Sequence, residues 1–257
     1  MSCLKLINWN IAGMPPLINL NGNPHFRFTG FEKWFYDHPS DFYTLQEVFD
    51  FNLQKKIVKF FIKNGYYVVV SDYTSWYKLN GGLLIASKYP IIDCCFYNYM
   101  HNCGEDRLGN KGVLWAVVCL PGHQLIEIVN THLNSDPEVW GFGNYTKVQT
   151  QQLNEMYSFL LNCKKRMRHL PLKTGIILLA GDFNMSFYRK HFQDFIKKMS
   201  ENYSILNKEL PPPFQIDHIL LFVRKNLNMR ISNSNLKILS MQKCQSDHEP
   251  MCIEIMI

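Results

Sequence analysis

One segment of the sequence carries an aspartate and an asparagine at a spacing suited to phosphate or metal binding. A Gly-Asp-Phe-Asn segment at 181–184 follows an apolar run at 176–180. Side chains two positions apart in an extended chain point the same way, so Asp182 and Asn184 are expected to face one site. Together they can hold a phosphate oxygen, a water or a hard metal ion. An ordinary turn is the alternative, because Gly-Asp pairs also open many turns.

A second segment places a carboxylate beside an imidazole, in the Ser-Asp-His-Glu-Pro stretch at 246–250. Histidine is the usual general base near neutral pH, and a carboxylate partner fixes its tautomer and charge. His248 is therefore a candidate base and Asp247 a candidate metal ligand, with an incidental surface loop as the alternative. Asp217 lies in an apolar run at 216–223. Since a lone buried acid is costly, we expect Asp217 to pair with His248.

Glu47 and His132 each follow an apolar segment of their own. A buried glutamate needs a partner, and a divalent cation is a natural one for Glu47. Asn10, after the first predicted strand, can share that site. Oxygen ligands without Cys or His pairs at zinc spacing favour magnesium, manganese or calcium. His132 can donate a hydrogen bond or a proton to a phosphate oxygen, although a structural role is the alternative.

Two cations lie on a glycine-bearing loop at 107–112. Arg107 and Lys111 suit phosphate binding there, although the spacing is not that of a Walker loop. A solvated turn is the alternative interpretation. Asn134, which lies just beyond His132, is a further candidate for substrate binding.

The elements that must position these residues show alternating strand and helix patterns. Apolar positions at helical spacing predict one helix around 53–61, ended by Asn64-Gly65, and another around 153–161. Hairpins mixed with helices favour a sheet-on-sheet core with helices outside. Strand ends that face one way would gather the polar candidates in one crevice. The predicted strands are 5–9, 66–70, 82–87, 113–120, 125–130, 176–180, 216–223 and 251–257.

Composition limits the classes of protein that fit. The 257 residues are 47% hydrophobic, which excludes a disordered or fibrous chain and suits one domain spanning 1–257. The net charge of +6 suits phosphate, nucleic acid or an anionic membrane, but is equally an ordinary solubility charge. The 8 cysteines form no CxxC pair, so we expect them to be reduced. No apolar window approaches a membrane span, and residues 1–10 lack the pattern of a secretory signal, so an intracellular, cytoplasmic location is expected.

The order of these segments resembles the endonuclease/exonuclease/phosphatase superfamily, which has the DNase I-like fold. The matching stretches are Asn-Trp-Asn-Ile at 8–11, Leu-Gln-Glu-Val at 45–48, 82–91, Lys-Gly at 111–112, Asn-Thr-His-Leu at 130–133, 181–184, 216–219 and 246–250. The resemblance implies a four-layer αββα sandwich, with two mixed sheets packed face to face between outer helices. It also implies a magnesium-dependent phosphoesterase, in which manganese can substitute.

The resemblance assigns a role to each matching residue. Glu47 resembles the main metal ligand with Asn10 beside it, and Asp247 a second carboxylate on the metal side. Asp182 and Asn184 resemble the residues that orient the attacking water and hold the phosphate. His248 resembles the catalytic histidine, supported by Asp217, and His132 resembles the histidine that contacts the scissile phosphate. Asp182 and His248 both remain candidates for the general base.

Within the superfamily, the motifs look most like those of neutral sphingomyelinases, which release phosphocholine from sphingomyelin. Aromatic residues Trp140, Phe142 and Tyr145 could then contact a membrane, although packing is the alternative. A DNase I-like nuclease remains the main rival, so the phosphodiester belongs to a lipid headgroup or to nucleic acid. An inositol polyphosphate phosphatase is disfavoured, because its Asn-Tyr-Arg and Trp-Cys-Asp-Arg types of motif are missing. A catalytically inactive binding module is a further alternative, and no obligate protein partner is expected.

Overall fold

Two six-stranded mixed β-sheets form the centre of the computed structural model. The strands are β1 (Cys3–Asn10), β2 (Phe42–Gln46), β3 (Tyr67–Val70), β4 (Leu84–Ser87), β5 (Ile91–Asn98), β6 (Gly112–Cys119), β7 (Leu125–His132), β8 (Ile176–Asp182), β9 (Tyr203–Ile205), β10 (Asp217–Arg224), β11 (Asn233–Ile238) and β12 (Met251–Met256). The helices are α1 (Pro24–Asp37), α2 (Phe51–Lys63), α3 (Tyr145–Arg166) and α4 (Lys190–Ser200), with a 3₁₀ helix at Gly104–Leu108. The structure describes residues 3–15, 24–71, 78–135, 145–167, 174–206, 212, 215–225, 233–239 and 246–257.

The two sheets have the orders β11-β12-β1-β2-β4-β3 and β5-β6-β7-β8-β10-β9. One apolar cluster lies between them, with Leu6 and Ile253 from the first sheet against Leu178 and Leu221 from the second. This arrangement places β1 and β8 near the middle of the two facing sheets. The chemistry at the ends of these strands therefore lies close to the seam between the sheets.

The helices cover the outer faces of the sheets, so the molecule has four layers. Helices α1 and α2 pack on the first sheet through an aromatic cluster that includes Trp34, Phe35 and Phe61. Helices α3 and α4 pack on the second sheet, where Met156 and Phe192 are completely buried. The expected sheet-on-sheet core with outer helices is confirmed.

Helix α2 shows how local sequence sets these boundaries. The side chain of Asp50 accepts a hydrogen bond from the amide of Leu53 at 2.7 Å, which caps the first turn. Asn64 ends the helix, as the sequence predicts, and its amide bonds back to the last turn. The cap also fixes the chain just beyond Glu47, since only a short loop separates β2 from α2.

Strands β7 and β8 run further than their apolar patterns indicate, because they continue to His132 and Asp182. Their parallel pairing places His132 opposite Asp182 and Thr131 opposite Gly181. A Cβ at position 181 would lie 2.1 Å from the carbonyl oxygen of Thr131. Only glycine therefore permits this close approach of the two strands beside the candidate site.

The cysteines, the aromatic residues near α3 and the helices bear on the expected thiol state, membrane contact and absence of a membrane span. Seven cysteines lie in the described part of the chain, and none of these seven forms a disulfide bond. Cys244 lies outside the described residues, as do Trp140 and Phe142. Tyr145 is buried at the start of α3, so packing is the interpretation that holds for this residue. Among the described helices, none has the length and apolar character needed to cross a bilayer.

Candidate active site

The ends of strands from both sheets supply the candidate residues. Asn10 is the last residue of β1 and Glu47 directly follows β2, while His132 and Asp182 end β7 and β8. Because β10 runs antiparallel to β8, its first residue, Asp217, lies opposite Asp182. His248 approaches from the segment that precedes β12 and completes the cluster.

Asn10 joins the two halves of this cluster. Its side-chain nitrogen Nδ2 donates to Glu47 Oε1 at 3.0 Å and to Asp182 Oδ2 at 2.9 Å. Its oxygen Oδ1 accepts from the backbone amide of Ala12 at 3.0 Å, which fixes the orientation of the amide group. Glu47 itself has a φ of 56°, a left-handed conformation that is uncommon for a non-glycine residue. The chain turns sharply there as it leaves β2 and enters the site.

His248 forms the expected pair with Asp217. The imidazole Nδ1 lies 2.6 Å from Asp217 Oδ2, while Nε2 lies 3.8 Å from Asp182 Oδ2. Burial alone would lower the pKa of His248, but the hydrogen bond and charge of Asp217, and the charge of Asp182, raise that pKa to about 10. The imidazole is therefore protonated at neutral pH, with Nε2–H directed toward the centre of the cluster.

The segment that carries His248 is anchored to β1. The hydroxyl of Ser246 donates to the carbonyl oxygen of Asn10 at 2.6 Å, and the indole N–H of Trp9 donates to the carbonyl oxygen of His248 at 3.0 Å. The Ser246 hydroxyl also accepts from the amide of His248 at 3.2 Å. These bonds attach the segment of His248 to the end of β1 in the first sheet, whereas its partner Asp217 belongs to the second sheet.

His132 differs from His248 in its charge state. It is almost completely buried, and its Nε2 lies 3.5 Å from Asp182 Oδ2. Burial lowers the pKa of His132 well below its ordinary value, and the charges of Lys111 and His248 lower it further. A neutral imidazole can donate one hydrogen bond, which is the role predicted for His132 toward a phosphate oxygen. The two histidines therefore offer one neutral and one cationic donor around Asp182.

The carboxylates of Glu47 and Asp182 make the site a suitable position for a cation. Burial raises the pKa of Glu47 and of Asp182, and the nearby charge of Asp217 raises that of Asp182 further. Two groups of described residues could hold a metal ion: Glu47 with His132 and Asp182, and Asp182 with Asp217 and His248. The hydrogen bond with His248 occupies Asp217, and the raised pKa of His248 opposes metal binding by the second group. The oxygen atoms of Glu47 and Asp182, beside the Asn10 amide, fit magnesium better.

Asp247 does not join either group of potential metal ligands in the described chain. Its side chain is exposed, although it directly precedes His248. The charge of Asp247 nevertheless reaches the site, where it raises the pKa of His248 and of Asp217. The role of Asp247 as a second metal carboxylate therefore stays a prediction.

Asn184 lies near Asp182 by a geometry other than the predicted one. The chain is not extended there, because Asn184 has a φ of 51°. Its backbone amide donates to Asp182 Oδ1 at 2.8 Å, and its side-chain nitrogen donates to the carbonyl oxygen of Leu133 at 2.9 Å. Asn184 thus holds Asp182 through its backbone and ties the β7 loop to the β8 loop through its side chain.

The basic loop contributes one buried cation. The ammonium group of Lys111 donates to the carbonyl oxygen of Leu133 at 3.0 Å and pairs with Asp106 at 2.8 Å. Arg107 is exposed and donates to the carbonyl oxygen of Asn102 at 3.3 Å. The structure therefore places Lys111 under the His132 loop, whereas Arg107 lies on the surface of the 3₁₀ helix.

Asn134 is completely buried and bonds to the backbone. Its Oδ1 accepts from the amide of Cys103 at 2.9 Å and its Nδ2 donates to the carbonyl oxygen of Ser135 at 2.8 Å. These contacts make Asn134 a support for its loop, and the structure does not bring its side chain into the cluster. Its role in substrate binding therefore stays a prediction.

Gln149 is a supporting residue that the sequence pattern does not reveal. Its side-chain nitrogen donates to the carbonyl oxygens of Asn134 at 2.9 Å and Asn184 at 3.2 Å. One glutamine of α3 therefore binds both the loop after β7 and the loop after β8. The only signal is a polar residue on the buried face of an amphipathic helix, and many glutamines share that signal.

Comparisons with known proteins agree with this geometry. The profile described as "Endonuclease/Exonuclease/phosphatase family" matches residues 7–248. The chain belongs to the endonuclease/exonuclease/phosphatase family. The family resemblance expected from the sequence motifs is thereby confirmed. The matched range includes every residue of the cluster, from Asn10 to His248.

Two curated relatives are similar over part of their length. A phospholipase C from Staphylococcus aureus is 23% identical over 212 residues, which cover 77% of this chain and 62% of the relative. A sphingomyelinase C from Bacillus cereus is 28% identical over 117 residues, which cover 46% of this chain and 33% of the relative. The chain thus spans less than two thirds of the length of these relatives.

A solved structure confirms the fold. The crystal structure of a mutant beta toxin from Staphylococcus aureus with bound magnesium ions aligns with a TM-score of 0.77 at 19% identity, covering 98% of this chain and 99% of that chain. The DNase I-like four-layer sandwich expected from the sequence is therefore present.

Proposed function

We propose that this protein is a magnesium-dependent phosphodiesterase of the sphingomyelinase type. The observation that carries the proposal is the continuous series of contacts through Glu47, Asn10, Asp182, His248 and Asp217. This series joins two carboxylates that can bind a divalent cation with a protonated imidazole that can donate its proton to a leaving group. Manganese is proposed as a substitute for magnesium, because it shares the preference for oxygen ligands.

The residues divide the work of hydrolysis between them. A bound Mg²⁺ would supply a positive charge that neutralises a phosphate oxygen and the charge developing on it. Glu47 and Asp182 would hold that ion, with the Asn10 amide orienting their carboxylates.

Proton transfer follows from the charge states of Asp182 and His248. Water attacks phosphorus while the bond between phosphorus and the leaving oxygen breaks, so one proton leaves the water and one joins the leaving group. The raised pKa of His248 excludes its imidazole as a proton acceptor at neutral pH, which leaves the Asp182 oxygen that does not bind the ion as the acceptor for the proton of water. The raised pKa of His248 makes its Nε2–H the donor to the leaving oxygen. Of the two candidate bases, we therefore assign Asp182.

The substrate we propose is a choline phospholipid such as sphingomyelin. The names of the two curated relatives, a phospholipase C and a sphingomyelinase C, support a lipid phosphodiester. Contact with a membrane surface is part of this proposal, with Trp140 and Phe142 as the candidate residues. The nucleic-acid alternative uses the same phosphate chemistry and differs only in what surrounds the phosphate.

A substrate panel tests the proposal. The protein is incubated with sphingomyelin in mixed micelles, supercoiled plasmid DNA and an inositol polyphosphate, each with and without Mg²⁺. We expect phosphocholine release that needs Mg²⁺, is lost in Asp182→Asn and persists in Asp194→Asn, where an exposed carboxylate on α4 is changed. Cleavage of plasmid without phosphocholine release would assign a nuclease instead. No turnover of any substrate would favour an inactive binding module.

A further inference from the structure

Three completely buried amide side chains connect the two sheets directly beneath the site. These residues, Asn8 of β1, Gln46 of β2 and Asn130 of β7, are called the amide ladder below. Gln46 Nε2 donates to Asn8 Oδ1 at 2.8 Å and, across the seam between the sheets, to Asn130 Oδ1 at 2.6 Å. Thr44 adds a hydroxyl that donates to Asn8 Oδ1 at 2.9 Å.

Asn130 is the member of the ladder that lies in the second sheet. Its Nδ2 donates to the carbonyl oxygens of Leu45 at 2.8 Å and Leu84 at 2.9 Å, which belong to β2 and β4 of the first sheet. One side chain therefore makes three hydrogen bonds to the opposite sheet. Two other positions on the same face of β7, Ile126 and Ile128, are apolar and pack in the core between the sheets.

Burial of amides in an apolar core is not explained by stability alone. A buried polar network is no more stabilising than well-packed apolar side chains, but it demands one particular geometry. Here the amide ladder lies next to residues that must come together in the site. Gln46 precedes Glu47 by one residue, and Asn130 precedes His132 by two in the same strand.

We propose that Asn130 is a positioning residue that sets the separation between the Glu47 and Asp182 sides of the site. Glu47 leaves the first sheet, while Asp182 pairs with β7 in the second, so the distance between their carboxylates depends on how the sheets are held together. Magnesium requires oxygen ligands at about 2.1 Å in a nearly ideal octahedron, so a small shift of one sheet weakens binding. The inference rests on the proposed metal-dependent function and deepens it.

The test compares two truncations in the same strand. Asn130→Ala removes the three bonds between the sheets. Glu127→Ala is the matched control, because Glu127 is also buried in β7, where Trp115 Nε1 donates to it at 2.8 Å and the Thr174 hydroxyl at 2.6 Å, away from the site. Mn²⁺ binding is measured by electron paramagnetic resonance without substrate, unfolding by urea, and kcat and KM on a small soluble phosphodiester.

We expect both variants to unfold at lower urea, but only Asn130→Ala to bind Mn²⁺ about 10–100-fold more weakly, as for other residues that orient metal ligands. We expect kcat to fall in that variant with little change in KM. If Asn130→Ala does not fold, Gln46→Met breaks the ladder while leaving the bonds of Asn130 to Leu45 and Leu84, and the same weakening is expected.

Three outcomes would overturn the inference. Mn²⁺ affinity unchanged in the folded ladder variant would show that the ladder does not position the ligands. An equal loss in Glu127→Ala would show a general effect of destabilisation. Wild-type protein that binds no Mn²⁺ and hydrolyses no phosphodiester would refute the proposed function and this inference with it, whereas the first two outcomes leave the proposed function intact.

Discussion

Replacing Asp217 with asparagine should change the pH dependence of catalysis in a predictable direction. The Asp217 carboxylate is buried and lies 2.6 Å from Nδ1 of the partly buried His248. Asparagine keeps the size of the side chain but removes its charge. The imidazole then keeps a neighbour but loses the main interaction that holds its proton.

The magnitude follows from the surroundings of His248. A rise in its pKa from 6.5 to about 10 corresponds to about 5 kcal/mol in favour of the protonated imidazole. Removing one carboxylate at hydrogen-bond distance lowers the pKa of a partner by about 1–3. With a fall of about 2, the protonated fraction at pH 9 drops from about 90% to about 10%, whereas at pH 6 it hardly changes.

Because His248 acts as an acid in our proposal, activity is lost as the pH rises through its pKa. The wild-type protein should therefore keep its activity until about pH 10, while Asp217→Asn should lose it near pH 8. The ratio of wild-type to variant kcat/KM should increase about tenfold between pH 6 and pH 9. The assay is hydrolysis of a small soluble phosphodiester at saturating Mg²⁺, with carbon-13 NMR of labelled histidines to follow the imidazole directly.

His218 provides an internal control for the NMR titration. It is buried in β10, where its Nε2 lies 2.8 Å from the carbonyl oxygen of Met185, and burial lowers its pKa to about 4. Its signal should stay unchanged above pH 6 in both proteins. The reasoning would be refuted if Asp217→Asn lost activity at the same alkaline pH as the wild type, or if the His248 signal titrated identically in both.

Three further predictions concern the metal site and the strands that carry it. Glu47→Gln should weaken Mn²⁺ binding and lower kcat about 10²–10⁴-fold without loss of stability. The control Glu201→Gln, which changes an exposed glutamate, should alter neither quantity. Titration calorimetry measures Mn²⁺ binding, and steady-state kinetics measure kcat. Removal of metal with EDTA should abolish activity and lower the free energy of unfolding. Mg²⁺ at 100 times its Kd should restore about 2.7 kcal/mol of that free energy in urea titrations. An unchanged midpoint of urea unfolding would contradict a metal site that exists only in the folded protein. Gly181→Ala should destabilise the fold by about 1–3 kcal/mol because its Cβ meets the Thr131 carbonyl, while Gly109→Ala, whose Cβ meets nothing nearer than 3.9 Å, should not.

Periodicity predicted the elements that bury a regular apolar face. Strand β8 and helix α2 were both recognisable, the first from a run of apolar residues and the second from helical spacing with a stop at Asn64. Helix α1 and strand β5 were not predicted. Neither buries one regular apolar face, since α1 carries aromatic residues on several faces and β5 is only half-buried, with exposed positions at Ile92 and Cys94.

The site was predictable in its members more than in its geometry. A buried acid must find a partner, and this reasoning correctly joined Asp217 to His248. The direction in which the Asn184 side chain points depends on a left-handed backbone conformation. The spacing of residues in the sequence does not predict that conformation. Asn134 shows the same limit, because an amide near a histidine gives no indication of whether it faces substrate or the neighbouring backbone.

The charge of the site gives an electrostatic reason for a cation that is independent of resemblance. Three carboxylates, those of the buried Asp182 and Asp217 and of the partly buried Glu47, face one protonated imidazole at His248, while Lys111 is already paired with Asp106. A phosphodiester adds a further negative charge and would be repelled from such a site in a medium of low polarity. The positive net charge of the chain does not remove this repulsion, because the exposed lysines are screened by water and salt. A divalent ion between Glu47 and Asp182 would neutralise charge on the protein and on the substrate together, which suits two carboxylates whose pKa is raised by burial.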